Sequence, residues 1–180
     1  MSKANVAKRY AEALFQIGKE KETLDHLEPE LLTVKEVFES NDAFLKYLQH
    51  PQVELEKKKQ LLRTAFDGFS SDVLNTLSLL VDRHNQAIVP EVIEHFITLK
   101  NELQKVAVAT VYTVRELTEE EQVSLKKVFV QRLEVKEVKI NQVIDSTVLG
   151  GVRIKIGNTV YDGTLKGKLD RLERQIVTAN

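Results

Sequence analysis

The chain has 180 residues, 42% of them apolar and 29% charged, with a net charge of −1. That is enough for one or two small domains with real cores, and too little basic excess for a dedicated nucleic-acid binder. Cysteine is absent, which excludes disulfides, thiolate metal sites and a thiol nucleophile.

The opening segment, MSKANVAKRYAEALF, lacks an apolar leader core and meets Glu12 early. No apolar run approaches the ~20 residues a membrane span needs. The reading is therefore of a cytosolic chain that meets a membrane only through partners. Residues 1–105 read as six helices. Ser2 is placed to cap the first. On it Asn5, Lys8, Arg9, Glu12, Gln16 and Lys19 make one polar stripe. The remaining sector is wider than an ordinary surface helix requires. Val6, Tyr10, Ala13 and Ile17 form one flank, Ala4, Ala11 and Phe15 the other, with Ala7 and Leu14 between. Such a helix is either central to a bundle or shared between the core and a partner.

The second helix, about Glu22 to Glu39, carries a seam of Leu24, Leu27, Leu31, Val34 and Phe38, with Pro29 predicting a kink or split. A short third helix starts at Asn41 or Asp42, buries Phe44, Tyr47 and Leu48, and ends at His50-Pro51. The fourth, Val53 to Phe66, turns Leu61, Leu62, Ala65 and Phe66 inward and carries Lys57, Lys58 and Lys59, read as a solvated face. Ser70 or Ser71 caps the fifth, whose stripe is Val73, Leu74, Leu77, Leu80 and Val81. Leu79 lies off that stripe near Thr76. Pro90 opens the sixth, with Val92, Ile93, Phe96, Leu99 and Leu103 as its core face.

At Val106 the pattern changes. VAVATVYTV is β-branched and aromatic without helical spacing, which sets a boundary between residues 1–105 and 106–180. Thr118 and Glu121 form a capping-box pattern for a helix burying Leu125, Val128, Phe129 and Leu133. Glu137 to Ile144 is a second strand. Then Val152, Ile154 and Ile156 alternate with Arg153, Lys155 and Gly157, and Gly157-Asn158 suits a two-residue hairpin with Ile154 opposite Tyr161. Asp162 and Thr164 are candidate caps of a closing helix bearing Leu165, Leu169, Leu172 and Ile176. The fold class is thus an all-α six-helix bundle followed by a small α+β domain, strand-helix-strand-strand-helix. The first 105 residues hold 14 basic and 17 acidic side chains, the rest 12 and 10.

Catalytic patterns are missing. Gly163 and Gly167-Lys168 enclose three residues where a phosphate loop needs four, and Leu169 follows in place of Ser or Thr. His26, His50, His84 and His95 fall on different elements without metal-ligand spacing. Ser70-Ser71 and Ser146-Thr147 have no Gly-x-Ser-x-Gly context. Asp145 and Asp162 flank the hairpin, either as an acid pair or as turn and cap residues. No metal and no cofactor is expected.

The ordered set Ile144-Asp145, Gly150-Gly151, the alternating apolars, Gly157, and Asp162-Gly163 before a Leu-rich helix resembles the C-terminal signature of the delta-subunit family of bacterial F-type ATP synthases, which is similar to the mitochondrial oligomycin-sensitivity-conferring protein. Thr164 departs from it, since Ser is more usual there. VAKRYAEALFQIG resembles the family's first helix, and the order of elements matches along essentially the whole chain. The resemblance implies a non-catalytic peripheral-stalk (stator) subunit, present as a single copy in a hetero-oligomer on the cytoplasmic face of the bacterial plasma membrane. It implies that the helical domain takes the N-terminal segment of an alpha subunit as a helix between the first and fifth helices. Carried over by position, that groove involves Tyr10, Ala13, Thr76 and Leu79, with Val6 and Ile17 extending the same flank. The C-terminal domain would hold the end of the b-subunit stalk. The alternative is a helical-bundle RNA-binding transcription factor, with Lys57, Lys58, Lys59 and Arg63 as phosphate contacts.

Overall fold

The structure, a computed structural model, describes residues 3–165 apart from Leu149 and Asn158. The expected Ser2 cap, the Asn158 half of the hairpin loop, and the closing-helix residues Leu169, Leu172 and Ile176 lie outside the described residues. The chain divides into two compact units, Met1–Lys100 and Asn101–Asn180.

The first unit is built from α1 (Lys3–Glu20), α2 (Leu24–Ser40), α3 (Asp42–Gln49), α4 (Leu55–Ala65), α5 (Ser71–Asp82), a single 3₁₀ turn (Gln86–Ile88) and α6 (Val89–Gln104), the last running past the division. Ala7, Ala11, Leu14 and Phe15 of α1 lie in its core with Leu27, Leu31, Val34 and Phe38 of α2, Val73, Leu77, Leu80 and Val81 of α5, and Val92, Ile93 and Phe96 of α6. Gly18 lets α2 come close. A Cβ there would stand 2.7 Å from the Leu27 Cδ1 atom, inside van der Waals contact. Two caps work as side-chain acceptors: Asn41 takes the Phe44 N–H at the start of α3, and Ser70 takes the Val73 N–H at the start of α5. The Ser70 N–H itself donates to the Glu30 carboxylate, which ties α5 to α2.

Several expectations are corrected. Pro29 does not split α2, which runs unbroken from Leu24 to Ser40. Proline near a helix start frees only the carbonyl of Asp25, in the first turn. Tyr47, Ala65 and Leu103 face solvent rather than the core. Lys58, read as part of a solvated face, is 3% exposed and shares the buried stripe of Leu62. Its four-carbon stem packs as an apolar side chain does.

The second unit contains β1 (Val106–Thr113), α7 (Glu119–Leu133), β2 (Glu137–Ile144), β3 (Arg153–Ile156) and β4 (Thr159–Asp162). The sheet order is β2-β1-β3-β4, with β1 parallel to β2 and antiparallel to β3, and β3 antiparallel to β4. A parallel pair needs a crossover, and α7 supplies it. Ala109, Val111, Val138 and Ile154 pack beneath Phe129 of α7, while Val128 is exposed instead of buried. The order strand-helix-strand-strand-helix counts one strand fewer than the sheet has, because β4, TVYD, entered only as the second arm of the expected hairpin. Its register places Ile154 opposite Tyr161.

Candidate functional site: a cleft between α1 and α5

α1 and α5 run antiparallel. Lys21, one residue past α1, pairs with Asp72 in the first turn of α5 at 2.7 Å. At the other end of the pair the helices part around a cleft of about 560 Å³ lined by Val6, Arg9, Tyr10, Ala13, Leu79, Arg83 and Asn85. The core face of α1 is formed by Ala7, Ala11, Leu14 and Phe15, while Val6 and Tyr10, half-buried at the edge of that core, and exposed Ala13 lie on the flank that faces the cleft. Leu79 is 45% exposed because α5 buries Val73, Leu77, Leu80 and Val81 on its opposite side.

The end of α5 contributes Arg83 and Asn85 to the cleft. His84 adopts φ 54°, the Asn85 N–H bonds the Leu80 carbonyl at 2.7 Å, and the His84 N–H bonds the Val81 carbonyl at 3.0 Å. This is a helix stop of the left-handed type made without glycine. It turns Arg83 and Asn85 toward the cleft. Of the residues expected in a groove, Val6, Tyr10, Ala13 and Leu79 meet there. Thr76 and Ile17 lie on the same helix pair but outside the lining, toward the Lys21–Asp72 end. Thr76 is half-buried and its hydroxyl donates to the Asp72 carbonyl, while Ile17 is 39% exposed. Arg9, Arg83 and Asn85 were missed as groove residues. A signal existed for two of them: Arg9 stands three residues after Val6, and Arg83 four after Leu79, the spacings that share a helix face.

The glycines and aspartates of the second unit build turns. The Asp145 Oδ1 atom accepts from the Thr147 N–H and hydroxyl, and its Oδ2 atom pairs with Arg153 at 3.0 Å. The Thr147 bonds first, and Arg153 with them, hold its pKa below the usual carboxylate value. The Asp162 Oδ1 atom likewise accepts from the Thr164 N–H and hydroxyl. Each of the two aspartates thus serves a turn. Gly150 and Gly151 have φ 65° and 80°. A Cβ on Gly151 would stand 2.5 Å from the Gly163 carbonyl oxygen, and one on Gly150 would meet the Leu165 side chain. The Val152 carbonyl accepts from the Gly163 N–H, and the Gly150 carbonyl from the Leu165 N–H. Gly157, at φ 55°, turns the β3–β4 hairpin with nothing beside it.

Two of the three lysines of the basic run meet carboxylates. Lys57 pairs with Glu54 at 3.3 Å and Lys59 with Asp82 at 2.8 Å, Lys58 is buried, and Arg63 is exposed. Among the described residues no group of three His, Asp or Glu side chains could hold a metal.

A family model described as ATP synthase delta (OSCP) subunit matches residues 6–176. The chain is 46% identical over 180 residues to "ATP synthase subunit delta" of Oceanobacillus iheyensis, covering 100% of this chain and 99% of that one. It is 48% identical over 177 residues to the same-named protein of a Geobacillus species, covering 98% and 99%. For that of Bacillus subtilis the identity is 43% over 180 residues, covering 100% and 99%. A chain in the cryo-EM structure of the Toxoplasma gondii mitochondrial ATP synthase hexamer superposes with a TM-score of 0.78 at 21% identity, covering 95% of this chain and 97% of that chain. That likeness is one of fold.

Proposed function

The chain belongs to the ATP synthase delta (OSCP) subunit family, and from that premise we propose that it works as a two-ended adaptor of the peripheral stalk. It is a non-catalytic, structural subunit. In this reading the α1/α5 cleft seats the N-terminal segment of an alpha subunit as an amphipathic helix, and the sheet unit holds the C-terminal end of the b-subunit stalk. The subunit sits on the cytoplasmic face of the bacterial plasma membrane as a single copy in the complex. No helix among the described residues is long and apolar enough to cross a membrane, so the complex supplies the membrane contact.

The observation that carries this reading is the surplus apolar flank of α1 opening onto Leu79. Val6, Tyr10, Ala13 and Leu79 form an open-ended cleft between two helices, the shape that a third helix fills with residues at i, i+3, i+4 and i+7. A stator must release its partners slowly, and one chain gripping two partners makes the second contact intramolecular.

Calorimetric titration of the chain with a synthetic peptide of the cognate alpha N-terminus tests it. Saturable one-to-one binding with a gain of helix in circular dichroism is expected. Leu79→Asp should weaken it about tenfold or more by placing a charge on the apolar floor. The fold should be unchanged, because Leu79 supports no core contact. Unaltered affinity in that variant would refute this placement of the partner helix.

A further inference from the structure

We propose that Asp67, in the turn between α4 and α5, is a spontaneous modification site. It isomerises to isoaspartate through a succinimide formed with Gly68, while the chain's other Asp-Gly pair, Asp162-Gly163, is held from doing so. Asp-Gly occurs at these two places and Asn-Gly at none. Glycine on the C-terminal side favours the reaction because it puts no side chain beside the attacking nitrogen.

Both pairs are exposed, so burial does not separate them. Hydrogen bonding does. The Asp162 Oδ1 atom accepts from the Thr164 N–H at 2.9 Å and from its hydroxyl at 2.7 Å. The Gly163 N–H donates to the Val152 carbonyl at 3.0 Å. Electrophile and nucleophile are both committed there, and ring closure waits for a local opening of the turn. Among the described residues, neither the Asp67 carboxylate nor the Gly68 N–H has a hydrogen-bond partner. The Phe69 N–H bonds the Phe66 carbonyl at 3.2 Å, spanning the pair without using either reacting group. Gly68 has φ 83°, with nothing within 4 Å of where a Cβ would stand. The Asp67 carboxyl therefore reaches the attack geometry by side-chain rotation alone.

The Gly68 nitrogen attacks the Cγ atom of the protonated Asp67 carboxyl. The N–Cγ bond forms, the Cγ–OH bond breaks, and the amide proton leaves with the hydroxyl as one water. Water then adds to either carbonyl of the ring. Cleavage at Cγ restores aspartate. Cleavage at the backbone carbonyl leaves isoaspartate, with the chain running through Cβ and Cγ and a free carboxylate on Cα. Nothing is oxidised or reduced. The main chain gains one atom just before Phe69, whose ring centroid lies 5.4 Å from that of Phe66. Ser70 follows, with its N–H on the Glu30 carboxylate and its hydroxyl capping α5. The product loosens the start of α5.

Ageing the full chain at neutral pH, folded and in urea, followed by tryptic peptide mapping, tests this. Thr64–Arg83 and Ile156–Lys166 carry one pair each. Succinimide makes a peptide lighter by one water. Isoaspartate is counted by methyl transfer from labelled S-adenosylmethionine with an isoaspartate methyltransferase, and located by fragmentation. In the folded chain it should accumulate in Thr64–Arg83 at least about tenfold faster than in Ile156–Lys166. In urea the two rates should agree within about threefold, because the same dipeptide is then unprotected in both. Asp67→Glu, which closes a less favourable ring, should abolish the product at position 67 with the fold unchanged. Equal rates in the folded chain, or a difference that persists in urea, would overturn the proposal. Amide exchange over residues 70–74 should be faster in the isomerised fraction than in fresh chain, and equal exchange would overturn the link to α5.

Discussion

Gly151 shows how much one residue can carry when the backbone leaves no alternative. Its φ of 80° and the 2.5 Å that would separate a Cβ from the Gly163 carbonyl oxygen are two independent reasons for glycine. The first alone costs an L-residue on the order of 1–2 kcal/mol. The second forces apart the contacts that join Gly150, Gly151 and Val152 to Gly163, Thr164 and Leu165. Gly151→Ala is expected to destabilise the sheet unit by about 2 kcal/mol or more, read as a lower urea midpoint at constant slope. Gly157→Ala has φ strain but no collision and should cost less. The same scale explains Asp145 and Asp162. Each folds a carboxylate oxygen back onto a threonine two residues on, the local bond that makes aspartate a turn residue.

Among the elements, α7 depends on its first turn. The Thr118 side chain accepts from the Glu121 N–H, and the Glu121 carboxylate accepts from the Thr118 N–H at 2.9 Å. The Arg115 guanidinium grips the same carboxylate at 2.7 and 3.0 Å. Arg115 first, then the Thr118 N–H, hold the Glu121 pKa at about 2, against an ordinary 4.5. A carboxyl depressed on folding stabilises fully above its unfolded value and stops doing so as pH falls through its folded one. The stabilisation from Glu121 should therefore be complete above about pH 4.5 and lost toward pH 2. The thermal midpoint of Glu121→Gln should lie below wild type at neutral pH, and the gap should close across that window. A gap that stayed constant to pH 2 would remove Glu121 from the cap. At α6, Lys100 is 3% exposed between Asp25 and Glu28 of α2. Burial pulls its pKa down, but the hydrogen bonds to Asp25 and Glu28 outweigh that and leave it raised. The charge thus stays in place and joins the two helices.

For the whole molecule, the two units have separate hydrophobic cores, one of helices alone and one of sheet and α7. The chain passes from α6 to β1 through Lys105 alone, at φ 54°. Fragments 1–105 and 106–180 should each fold, shown by cooperative melting, because each keeps its own core. In the adaptor reading each fragment captures one partner. The full chain should bridge an immobilised alpha peptide to a soluble b-stalk segment, and an equimolar mixture of fragments should bridge at least about 10²-fold less well. Equal bridging by the mixture would show that the covalent link adds nothing.

The sequence alone determined the element types, because they rest on periodicity, and periodicity is local. The 3.6-residue spacing of six amphipathic segments, the alternation of Val152, Ile154 and Ile156, and the Thr118–Glu121 box all signal themselves within a few residues. The left-over flank of α1 was legible for the same reason, as apolar residues exceeding what one buried stripe needs. Helix ends were less legible. Glu22, His84, Lys105 and Glu134 all take φ near 55° where glycine would have announced a stop. Tertiary structure decided what depends on distant residues meeting. It set the sheet order β2-β1-β3-β4, which turns on long-range pairing. It buried Lys58 and exposed Val128, choices made by neighbours across the core. It also set the cleft, because Val6, Arg9, Leu79 and Arg83 are some 70 residues apart in the chain and become one surface only when α1 and α5 pack antiparallel.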